Sequence, residues 1–177
     1  FAGDARAYDG QVTRADLRGW LPLGRSVLAL RWTEARASGR TEPFQLGGAS
    51  DEWLQIGFVL NQRDIALRGY RGDEPALRGR HARVASAEWR FTLADIDRHG
   101  MVPPLGINRL SGAVFVDAGG AWEAGSRPDR WRRGAGFELL AETRLLYAMA
   151  LQLRLGYARA LDAPEGGRGY LTLGRAF

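Results

Sequence analysis

Apolar and polar residues alternate with a period of two along most of this chain. The stretch Val84 to Leu93 does so most cleanly. Ala85, Ala87, Trp89, Phe91 and Leu93 share one face, and Ser86, Glu88, Arg90 and Thr92 share the other. Successive side chains of a strand point to opposite faces, so this pattern predicts a strand with one apolar and one polar side. Ser26 to Arg36 repeats it, with Leu28, Leu30 and Trp32 against Ala29, Arg31 and Thr33. Residues 5–20 alternate more weakly and predict a first strand. Leu21-Pro22-Leu23-Gly24 follows as a turn, because Pro and Gly punctuate it. Leu110 to Ala121 predicts a further strand, with Val114 and Val116 on one face and Phe115 and Asp117 on the opposite one. Asp95 to Pro104 reads as a polar connector, and Gly125 to Asp129 as a turn.

Residues 137–157 are ambiguous. Their first part, Phe137 to Ala150, has the composition of a helix. Beyond it Met149, Leu151, Leu153, Leu155 and Tyr157 alternate strictly with Ala150, Gln152, Arg154, Gly156 and Ala158. A helix repeats every 3.6 residues, so period two favours strands at about 134–145 and 148–160, with a tight turn near Leu146-Tyr147. A single helix is the alternative. Ala163 to Gly167 turns, and Gly169 to Phe177 is a last strand with Leu171, Leu173 and Phe177 on one face. The sum is seven strands, or eight if the apolar run Trp53 to Leu60 forms one.

That run lies in a long polar loop, from about residue 37 to 82. A loop of such length in a compact chain is usually functional or disordered. It contains the turn-like Pro43-Phe44-Gln45-Leu46-Gly47-Gly48 and, further on, Ala66-Leu67-Arg68-Gly69-Tyr70-Arg71-Gly72. Carboxylates on later strands could meet Arg68, so the loop is expected to fold back among the strands.

Composition narrows the class. The 177 residues fit one domain better than two. No run approaches 18 apolar residues, so no transmembrane helix is predicted. Mean hydropathy is negative, at -0.28. A membrane barrel escapes such windows because only every second residue faces lipid. Segments of about ten alternating residues separated by turns are the signature of outer-membrane barrels. The 24 Gly and 6 Trp suit twisted strands, turns and interfacial girdles. All 25 basic residues are Arg, against 20 acids. They are scattered among those acids rather than clustered, which argues against nucleic acid and for ion pairing. With no cysteine there is no disulfide or thiolate metal site. The opening Phe1-Ala2-Gly3-Asp4 has no basic, apolar signal segment and is expected of a mature chain or a fragment.

Five motifs then occur in order. They are Pro43 to Gly48, Leu67-Arg68-Gly69-Tyr70, Ala87-Glu88-Trp89-Arg90-Phe91, Val114-Phe115-Val116-Asp117-Ala118-Gly119-Gly120, and Gly169-Tyr170-Leu171-Thr172-Leu173-Gly174-Arg175-Ala176-Phe177. The series resembles the C-terminal half of the barrel of the BamA/TamA-type outer-membrane assembly superfamily, also called the bacterial surface antigen family. The resemblance runs from about Ala5 to the end. It implies an all-β fold, an antiparallel transmembrane barrel. The chain would supply the C-terminal half of a larger barrel, or close alone as a small one. Family members are barrels of roughly sixteen strands that insert or translocate proteins at the outer membrane. The resemblance also implies a lumen-directed loop carrying Arg68, Gly69 and Tyr70, whose arginine pairs with Glu88, Phe115 and Asp117. It implies a C-terminal insertion signal in Tyr170, Leu171, Leu173, Gly174 and Phe177, read by the barrel assembly machinery. Outer-membrane lipid and unfolded client proteins are the implied partners, and the bacterial outer membrane the location.

Signals for catalysis are weak. Asp95-x-Asp97-x-His99 has the types of a metal trio, but solvated turn residues explain it better. Gly134-Ala135-Gly136 imitates a dinucleotide turn without the full G-x-G-x-x-G. There is no Gly-x-Ser-x-Gly elbow. The expectation is a non-enzyme with no cofactor and no metal. Two other readings stay open. One is a barrel that anchors, or forms a pore for, an N-terminal enzyme or propeller domain; the other is a soluble basic β-protein that binds nucleic acid.

Overall fold

The computed structural model describes residues 10–49, 63–101, 105–126, 131–145, 149–163 and 166–175. The fold is all-β, and its main body is one antiparallel sheet of seven strands. In sequence order the strands are β1 (Val12–Leu23), β2 (Ser26–Ala37), the short β3 (Phe44–Leu46), β4 (Asp64–Ile65) and β5 (Arg78–Gly79), then β6 (His81–His99), β7 (Leu105–Trp122), β8 (Arg132–Leu145), β9 (Met149–Ala160) and β10 (Arg168–Arg175). The large sheet has the order β1-β2-β6-β7-β8-β9-β10, so each long strand pairs with its nearest long neighbour along the chain. Among the described residues the sheet is open, with β1 and β10 as its edges. Its described strands do not close into a barrel.

Several boundaries differ from the sequence reading. Pro22 does not end the first strand, which pairs with β2 as far as Leu23 opposite Ser26. Pro is tolerated on an edge strand, where its missing N–H breaks no ladder. The turn falls at Gly24 and Arg25 instead. Of the stretch Asp95 to Pro104, the part to His99 is strand rather than connector. β6 continues to His99, pairing with β7 through two register shifts, at Thr92/Ala94 and Asp95/Arg98. The ambiguous region is two strands, β8 and β9, joined across residues outside the description. Trp53 to Leu60 also lies outside the described residues.

Period-two alternation gives the sheet two unlike faces. One carries Leu30, Trp89, Val114, Phe137, Leu155 and Leu171, all exposed; Leu155 is 56% and Leu171 65% accessible. The other face is covered by the segment between β2 and β6. There β3 pairs parallel with β4 and antiparallel with β5. Phe44, Leu46, Ile65, Leu67 and Leu77 from this segment are fully buried. They pack on Ala35 and Ala37 of β2, Ala82 and Val84 of β6, and Ala160 of β9. Small residues on the strands leave room for the large ones of the loop. The only compact apolar core among the described residues is therefore between loop and sheet.

Candidate functional site

Arg68 comes from that loop and is 6% exposed. Two local features bring it onto the sheet. Gly69 has φ +97, a left-handed conformation that only glycine adopts without strain. A Cβ there would also lie 2.7 Å from the Arg159 carbonyl carbon, so the chain passes hard against β9. On β8, a side chain at Gly134 would overlap the Arg68 carbonyl oxygen. The loop thus seats into a place where the sheet has no side chains.

The guanidinium is saturated. Its Nε and Nη2 donate in parallel to the two carboxylate oxygens of Asp117, both at 2.8 Å. Nη1 donates to Glu88 at 2.8 Å and to Glu138 at 3.0 Å. Nη2 also donates to the Ser86 hydroxyl at 3.0 Å. An arginine has five N–H donors, and each has an acceptor here. The Arg68 amide adds a bond to Asp117 at 3.2 Å. Beneath the charge, the Phe115 ring centroid is 3.4 Å from the guanidinium carbon, a cation–π contact.

Register explains why these groups meet. Glu88 pairs with Phe115 and Ser86 with Asp117 across β6 and β7. Phe115 and Asp117 pair with Gly136 and Gly134 of β8. Glu138 lies one alternation further along the same face and pairs with Gly156 of β9, which pairs with Tyr170 of β10.

Three carboxylates around one cation leave an excess of negative charge, and two further arginines balance it. Arg90 donates to Glu88 at 2.5 Å, and Arg154 to Glu138 at 3.3 Å. The Tyr170 hydroxyl donates to Glu138 at 2.6 Å. Glu88, Asp117 and Glu138 are all buried, the most exposed at 5%. Buried charges of this kind persist only when paired and hydrogen-bonded. Burial acts to strip the proton from Arg68. The hydrogen bonds and charge of Asp117, with the charges of Glu138 and Glu88, outweigh it and hold the group protonated well above its ordinary range.

Tyr70 completes the loop's hold. It is 6% exposed, and its hydroxyl donates to the Arg133 carbonyl at 3.0 Å. Burial, and then the charge of Asp162, push its phenol above the usual range, so it stays a donor. The Tyr70 carbonyl accepts the Gly48 amide at 3.0 Å, tying the triplet back to the small sheet.

The structure thus gathers Arg68, Gly69, Tyr70, Glu88, Phe115 and Asp117 in one place. Tyr170 joins them through Glu138, whereas the resemblance implied only an insertion signal for it. Leu171 and Leu173 point to the exposed apolar face. Gly174 lies in β10, and Phe177 falls outside the described residues. Glu138, Ser86, Arg90 and Arg154 were not anticipated as partners. The alternation does put Ser86 and Arg90 on the face of Glu88. Glu138 likewise falls opposite Phe137 and Leu139 once residues 134–145 are read as a strand.

Asp95 pairs with Arg109 at 2.7 Å rather than with His99. Among the described residues no group of three His, Asp or Glu is placed to hold a metal ion. No family model matches the chain, and neither a curated protein nor a solved structure matches it.

Proposed function

We propose that this chain is part of an outer-membrane β-barrel of the protein assembly and translocation superfamily, which inserts or translocates proteins at the bacterial outer membrane. One observation carries the reading: the polarity of the sheet is inverted. Its charged groups are buried on the face under the loop, and its large apolar side chains are exposed on the other. A water-soluble sheet buries its apolar face, whereas a lipid-facing barrel strand alternates apolar-out and polar-in. The Arg68 cluster supports the same reading. In an assembly barrel the loop would tuck into the lumen, and the cluster would fix it there. Its chemistry suits holding rather than catalysis, because arginine does not exchange its proton near neutral pH and every carboxylate is already engaged.

The test has two steps. The protein is first recovered from membrane fractions and run on gels with and without boiling; a folded barrel shifts its mobility on heating. It is then reconstituted into vesicles, and insertion of an unfolded outer-membrane protein is followed by protease protection. Protection above that of empty vesicles is expected. A heat-modifiable protein that gives no such gain would leave anchoring or pore formation for another domain as its role. A chain soluble in plain buffer would overturn the membrane reading.

A further inference from the structure

The edge strand β10 has little to hold it. It pairs with β9 alone, from Arg168 opposite Ala158 to Arg175 opposite Leu151. Its apolar side chains Leu171 and Leu173 lie on the exposed face, and none of its described side chains is fully buried. Segments with so few buried contacts open locally at low cost. On the covered face, however, Tyr170 reaches across the sheet. It stands opposite Gly156 of β9, which stands opposite Glu138 of β8. A Cβ at Gly156 would lie 2.6 Å from the Tyr170 hydroxyl oxygen. The phenol therefore crosses β9 only because that strand has no side chain there. Its hydroxyl donates to Oε1 of Glu138 at 2.6 Å, and the same oxygen accepts Nη1 of Arg68 at 3.0 Å. The other oxygen, Oε2, takes Arg154 at 3.3 Å. One carboxylate oxygen is thus shared between the edge strand and the loop.

We propose that Tyr170 is a latch that couples the pairing of β10 to the seating of the Arg68 loop. When β10 frays from β9, its hydroxyl leaves Glu138, and the carboxylate loses one of the donors that aim it at Arg68. When the loop lifts, Glu138 loses Arg68 and holds Tyr170 less well. Coupling of this kind is reciprocal, because each event changes the free energy of the other by the same amount. The bond is short and charge-assisted, the class in which a single hydroxyl carries most weight. Two elements with two arrangements each, paired or frayed and seated or lifted, meet at one atom, which is the physical requirement for such a link. A partner that draws on the β10 edge is then felt at the loop, two strands beyond it. The latch needs only a folded sheet and holds whether or not that sheet lies in a membrane.

The test follows amide hydrogen exchange by mass spectrometry in the folded full chain, for the parent, Arg68→Lys, Tyr170→Phe and the double variant. Tyr170→Phe keeps the ring over Gly156 and removes only the donor. Arg68→Lys is expected to speed exchange in β10 by about tenfold, the scale of one hydrogen bond to a charged group, and to leave β1, the opposite edge, unchanged. In the Tyr170→Phe background the same substitution should speed β10 no further. Unchanged exchange in β10 on Arg68→Lys overturns the latch. So does an equal gain in both backgrounds, which would place the coupling in the β9 backbone, or an equal gain in β1, which would mean general unfolding. A second variant reads the link from the other end. Gly156→Ala pushes the phenol off Glu138 without touching the loop, and should speed protease cleavage between residues 66 and 80. Parent-like cleavage in Gly156→Ala also overturns the latch.

Discussion

At the scale of single residues, the consequences of the site follow from how completely Arg68 is satisfied. Arg68→Ala strands three buried carboxylates that share two remaining arginines. Breaking a buried ion pair from one side costs about 3–5 kcal/mol, so the variant should lose its heat-modifiable band at clearly lower temperature than the parent. Arg68→Lys keeps the charge but not the planar fork that meets Asp117 at two points, and should fall between the two. Parent-like melting of Arg68→Ala would show that the cluster does not hold the loop. The acids are not equivalent either. Asp117 accepts from the Arg68 amide, Nε and Nη2 and from Ser86 at 2.6 Å. Glu88 accepts from Arg68 and Arg90. Asp117→Asn, which turns a donor toward donors, should therefore lower the melting temperature more than Glu88→Gln. The reverse order would place the anchor on β6 rather than β7.

At the scale of elements, the site depends on where strands lack side chains as much as on where they carry charge. Gly134→Ala adds one methyl group where the Arg68 carbonyl sits. The backbone on both sides is held by bonds, so the loop must lift. A loss of about 1–3 kcal/mol is expected for such overpacking, with faster protease cleavage between residues 66 and 80. Unchanged cleavage would mean that the loop is seated by its apolar core alone. The same scale shows what was legible beforehand. The long strands were, because Trp89 and Glu88, or Phe115 and Val116, announce their faces by alternation. The small sheet was not. Asp64–Ile65 and Arg78–Gly79 are too short to show a period, and their pairing with Phe44–Leu46 is a matter of tertiary contact. Asp95 to His99 has the charge of a loop, yet the ladder to β7 carries the strand past its apolar band. Glu138 was hidden for a related reason. Its meeting with Tyr170, through Gly156, depends on register across two connections, which alternation within one strand does not reveal.

At the scale of the whole molecule, the exposed apolar face separates a lipid environment from an aqueous one. Leu155→Arg places a charge in the middle of that face. In a bilayer it should destabilise the protein by about 2–4 kcal/mol and reduce its yield in the membrane fraction. In water an exposed substitution of this kind stays within about 0.5 kcal/mol, and solubility would rise instead. Urea titration of vesicle-bound protein distinguishes the two outcomes. The open sheet has a further consequence, one of parity. Seven strands linked neighbour to neighbour, each antiparallel to the last, leave β1 and β10 running in the same direction. Two such edges cannot join in an antiparallel seam. If the sheet closes into a ring, either the seam is parallel or an odd number of other strands stands between the edges. The direction of the chain at its two open margins thus limits which closed rings can contain it, whatever the sequence of the strands that complete them.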